Sequence, residues 1–125
     1  MTLTRIKNWN IEHISILQRL QENDKTLKWL NVYNNNIGDE SAKYLADALK
    51  VNQILTRLEV RENNIGAQGA KDLADSLKVN QTLMRLEVSE NNIGDQGAKD
   101  LANALKVNQT LTMLDMSWNL SLIHI

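Results

Sequence analysis

A 28-residue unit recurs along this chain without insertion, and that repetition excludes a conventional domain built around one central core. Leu27, Leu55, Leu83 and Leu111 occupy the same place in four consecutive units. Residues 54–81 and 82–109 are identical at 22 of 28 positions, and residues 26–53 and 54–81 at 17 of 28. A unit this short cannot bury its apolar face alone, so neighbours must stack and share one continuous core.

Within a unit the hydrophobic period changes halfway. Leu86 and Val88 alternate with polar Arg85, Glu87 and Ser89, the period of two of a strand. Ala98, Leu101, Ala102 and Leu105 then fall at the i, i+3, i+4, i+7 spacing of a helical face. Between them, the Asn-Asn-Ile-Gly sequence at 91–94 supplies the residue types of a turn. Asn80 and Asn108 stand where a left-handed residue can close a helix, after Lys78 and Lys106 in its last turn. Stacked strand-helix units predict an α/β solenoid with parallel strands on its concave face and helices on its convex face.

The pattern Leu-x-x-Leu-x-Val-x-x-Asn-x-Ile-Gly at 27–38, 55–66 and 83–94 resembles the leucine-rich repeat. The unit length and the following Gly-Ala-x-x-Leu-Ala-x-x-Leu helix are similar to the ribonuclease-inhibitor-like class, which includes repeat regions of Nod-like receptors and the Ran GTPase-activating protein. The resemblance implies a horseshoe of repeats over 26–53, 54–81, 82–109 and a partial unit at 110–119. Residues 1–25 read as a degenerate first repeat or cap, in which Leu3-Thr-Arg-Ile6 echoes Leu55-Thr-Arg-Leu58. The apolar residues 120–125 replace the helix that the repeat requires, and are expected to be an artefactual, non-repeat tail resembling translated adapter sequence, on a fragment of a longer array.

Composition removes several functions. With Cys 0 there is no disulfide, thiol nucleophile or cysteine-ligated metal. The only histidines, His13 and His124, fall at opposite ends of a solenoid, which speaks against a catalytic triad or a histidine metal site. A formal net charge of -1 gives no reason to expect nucleic acid or a membrane surface. No apolar run suits a membrane span or signal peptide, so a cytoplasmic protein without cofactor or metal is expected, and the sequons at Asn80, Asn108 and Asn119 carry no weight.

Asn35, Asn63, Asn91 and Asn119 recur after each strand and read as a structural ladder, since a buried amide can pair with main-chain groups that a tight turn leaves open. Glu59, Glu87 and Asp115 share one strand position, with Arg57 and Arg85 two residues earlier, and read as a solvated ion-pair ladder rather than an acid-base pair. Between the units at 26 and 54, strand differences cluster at 28, 29, 31, 33 and 34 while inward residues stay apolar. The concave face is therefore the candidate site, with Trp29, Tyr33, Arg57, Glu59, Arg61, Arg85 and Glu87 as partner-binding residues and Arg5, Lys7 and Trp9 as an extension. Aromatic residues and arginines dominate interface hot spots. A noncatalytic protein-interaction module is expected; the alternative from the resemblance is part of a Ran-type GTPase activator, with no residue matched to an activator's functional positions.

Overall fold

The computed structural model describes residues 3–119, and the tail expected at 120–125, with His124, lies outside them. Strands and helices alternate: β1 (Leu3–Arg5), α1 (Trp9–Gln21), β2 (Trp29–Asn31), α2 (Asp39–Val51), β3 (Arg57–Glu59), α3 (Ala67–Leu77), β4 (Arg85–Glu87), α4 (Gly94–Leu105) and β5 (Met113–Asp115). The strands form one parallel sheet in the order β1-β2-β3-β4-β5, the arrangement of a leucine-rich-repeat solenoid.

From β2 onward the register follows the sequence period: Trp29 pairs with Arg57, Arg57 with Arg85, and Arg85 with Met113. Each unit sends its second leucine, its valine and its isoleucine into the shared core; Leu30, Val32 and Ile37 are fully buried, as are Leu58, Val60 and Ile65 in the next unit. Small residues let the helices approach. A Cβ at Gly69 would lie 2.7 Å from Asp39 Oδ1 and 2.7 Å from Ile65 Cγ2, so this glycine serves close packing of α3 on the preceding turn as well as opening the helix. Asp39 Oδ1 accepts the N–H groups of Gly66 (2.7 Å) and Gly69 (3.0 Å), placing a carboxylate of one repeat at the positive end of the next repeat's helix.

Three sequence expectations are corrected. The first strand is not in the register that Leu3-Thr-Arg-Ile6 suggests: Thr4, not Ile6, pairs with Leu30, which places Ile6 at the inward position beside Val32. In that register the chain turns into α1 early. Trp9 begins this helix, is 5% exposed and donates its indole N–H to Ser41 Oγ at 3.0 Å, so it closes the core instead of extending the concave face. The backbone N–H groups of Lys7 and Asn8 both donate to Glu12, which fixes the start of α1.

Asn80 and Asn108 are not left-handed helix closures. Together with Asn52 they form a ladder that the sequence reading missed. Asn80 donates to the carbonyls of Leu49 (2.8 Å) and Asn52 (3.2 Å) and accepts from Thr82 and Leu83 N–H; Asn108 repeats the pattern one unit later. Left-handed residues lie elsewhere, and four of them, Asn34, Glu62, Glu90 and Trp118, stand just after β2, β3, β4 and β5 with φ between 50° and 60°. Among the described residues no helix is long and apolar enough to cross a membrane, and no group of three or more His, Asp or Glu side chains is placed to hold a metal.

Candidate protein-binding face

Parallel strands of three residues present one side chain in two away from the helices, and identical register stacks these into rows across the sheet. The first row is Trp29, Arg57, Arg85 and Met113; the second is Asn31, Glu59, Glu87 and Asp115. Tyr33, Arg61, Ser89 and Ser117 follow in the loops beyond.

The centre of this face is a buried polar cluster. Glu59 is 4% exposed and Glu87 is 8% exposed, which corrects the expectation of a solvated ladder. Long neighbouring side chains cover them. The Arg57 guanidinium lies 4.1 Å from the Trp29 ring centroid and reaches Glu59 Oε1 at 3.4 Å and Glu87 Oε2 at 3.2 Å, while the Trp29 indole N–H donates to Glu59 Oε2. Arg57 thus ties three repeats together. Burial, followed by the hydrogen bond and charge of Glu59, raises the Glu87 pKa above the ordinary carboxyl value, and Arg57 opposes the shift only in part.

Around this cluster the remaining predicted residues stand in differing environments. Tyr33 is 41% exposed, with the Arg61 guanidinium 5.3 Å from its ring centroid, and its hydroxyl pKa is raised by a hydrogen bond to Glu62. Glu62 in turn meets Glu90; sharing this hydrogen bond lowers the Glu62 pKa and raises that of Glu90. Sequence reasoning overlooked this acidic pair, although its residues occupy the variable position next to Tyr33 and Arg61. Arg61 lies 3.8 Å from Glu59 Oε1. Arg85 is exposed, and among the described residues it has no carboxylate in ion-pair range. Met113 and Asp115 are half-buried, while Arg5 and Lys7 are exposed at the other end.

The Asn35, Asn63, Asn91 and Asn119 amides hold the turns beside this face. Asn63 Oδ1 accepts the N–H groups of Asn35 and Ile37, both at 2.9 Å, and its amide donates to the carbonyls of Val32, Val60 and Arg61. Asn91 and Asn119 make equivalent bridges, and Asn35 joins Trp9 N–H to the Ile6 and Tyr33 carbonyls. These side chains are occupied by the backbone. The buried amide of Asn80 is likewise engaged, leaving no room for a glycan in the folded chain.

Comparison with known proteins gives this face a context. The chain is similar to the solved structure described as leiomodin-1 actin-binding site 2, with 28% sequence identity and a TM-score of 0.73, covering 80% of this chain and 58% of that one. It also resembles the tropomodulin C-terminal domain of Caenorhabditis elegans, with 20% identity and a TM-score of 0.78, covering 85% of this chain and 64% of that one. The chain therefore spans about 58% and 64% of the lengths of these two structures. Comparison with the sequences of curated proteins returns no match. The family model described as the TMOD/LMOD leucine-rich domain matches residues 5–120. That match narrows the ribonuclease-inhibitor-like resemblance to one leucine-rich-repeat family. With all but the ends of its sequence matched, the chain belongs to the family of TMOD/LMOD leucine-rich domains.

Proposed function

We propose that this domain is a docking module that binds a protein partner through the concave face of its sheet, and that the partner is actin. The observation that carries the first part is the contrast within the face. Trp29, Arg57, Glu59 and Glu87 satisfy one another in a largely buried network with Arg61 half-buried beside Glu59, while Tyr33 and Arg85 stand exposed around that base. Side chains already held in place lose less freedom on association, which favours binding. The similarity to leiomodin-1 actin-binding site 2 is the reason for choosing actin.

The face is small. Five strands at ~4.8 Å spacing make a sheet about 20 Å wide, below what the ~800 Å² per partner of a standard stable interface requires. Weak capture by this stretch alone is the expected behaviour. Cosedimentation with filamentous actin and surface capture of monomeric actin test the proposal. Replacing Tyr33 and Arg61 together by alanine should weaken capture by at least about thirtyfold, since one hot-spot residue alone contributes ~2 kcal/mol, with the chain still melting cooperatively. Equal capture by the original chain and the variant would remove the concave face; absence of capture by both would remove actin.

A further inference from the structure

Charge pairing across the concave face is uneven. Arg57 takes both Glu59 and Glu87, and Arg61 lies next to Glu59. One repeat further on, the acid that would serve Arg85 is Asp115, a shorter side chain turned back on its own loop. Its Oδ1 accepts the Ser117 N–H at 3.0 Å and the Ser117 hydroxyl at 2.7 Å, and these bonds hold its carboxyl below the ordinary range. Arg85 is left exposed with a guanidinium fork free to receive a carboxylate.

This guanidinium borders a groove of about 340 Å³ lined by Trp29, Thr56, Arg57, Met84, Arg85 and Thr112. Met84 is 47% exposed, and the Trp29 ring, with Arg57 stacked on it, also lines the groove. We propose that this groove is a subsite for one extended segment of a protein partner, which places a bulky apolar side chain between Trp29 and Met84 and a neighbouring carboxylate on Arg85. The subsite rests on reading the concave face as the docking surface. A polyanion does not fit the same face: Glu62 and Glu90 stand along it, and Arg57 is committed to carboxylates of its own. One free guanidinium beside an apolar slot suits a single carboxylate.

The test is a chemical-shift titration of the full chain with a blocked peptide, Gly-Ser-Asp-Leu-Glu-Leu-Ser-Gly, and its Asn/Gln analogue, with an oligothymidylate as the nucleic-acid probe. The acidic peptide should move the Trp29 indole N–H, the Met84 methyl and the Arg85 Nε–H. The amide analogue and the Arg85→Gln chain should each bind about tenfold more weakly, as expected when one charge-assisted hydrogen bond is lost. Met84→Ser should weaken the peptide while leaving the thermal melt unchanged. The subsite is overturned by no shift at these three groups up to millimolar peptide, by equal affinity in Arg85→Gln, or by tighter binding of the oligothymidylate. Failure here with actin capture still dependent on Tyr33 and Arg61 removes the subsite and leaves the docking face. Peptide binding without actin capture leaves the subsite and removes actin.

Discussion

Asn63 does the work of a turn's missing hydrogen bonds, joining the Asn35 and Ile37 N–H groups of one repeat to the Val60 and Arg61 carbonyls of its own. Truncation to alanine strands two donors close to the core, each at about 1–3 kcal/mol. Asn63→Ala should therefore cost about 3 kcal/mol in denaturant unfolding; a loss below ~1 kcal/mol would mean that water replaces the amide. Glu87 acts in the opposite sense. Its pKa is raised in the fold, so between the ordinary carboxyl value and the raised one the folded chain holds more protons than the unfolded chain. Its contribution is complete below the ordinary value of ~4.3 and is lost as pH rises through the folded value. A Glu87→Gln chain lacks this loss, and its stability relative to the original should increase between pH 4 and pH 7. Equal differences at the two pH values would contradict the raised pKa.

At the scale of elements, the turn after each of β2 to β5 imposes left-handed backbone on whatever residue stands there. Asn34 suits that conformation, but Glu62 and Glu90 do not, and an L side chain in this region costs about 1–2 kcal/mol. Glu90→Gly should be about 1 kcal/mol more stable than Glu90→Ala in chemical denaturation, since both remove the carboxylate and only one relieves the backbone. Equal stability would show that the turn relaxes. The strand and helix of each repeat were legible in the sequence because the period changes from two to 3.6 in the middle of a unit, and the repeats align without insertion. The site was less legible. Alternation places Glu59 and Glu87 on the open face, but says nothing of the Trp29 ring and Arg57 side chain that cover them. The first strand misled because the Leu3 to Ile6 echo has only four residues to align, whereas its register follows the burial of Ile6 and Trp9.

Across the whole molecule, each repeat touches only its neighbours, so stability is a sum of layers and the ends have fewer layers than the middle. The two ends are also built unlike the centre. α2 packs extensively on α3, and α3 on α4, whereas α1 packs far less on α2. On the outer side of α1, Ile11 and Ile14 are exposed. At the other end, the three residues of β5 are all half-buried, while β3 places Leu58 and Glu59 in the interior. Local opening should therefore begin at both ends and leave the α2–α3 layers closed. In native-state hydrogen exchange, amides of α1 and β5 should be at least about tenfold less protected than those of α3, a difference of ~1.4 kcal/mol or more. Trp9→Ala should widen the gap at α1 alone, because its ring and its bond to Ser41 join this helix to the next repeat. Uniform protection from α1 to β5 would instead make the repeats one cooperative unit and refute the layered account.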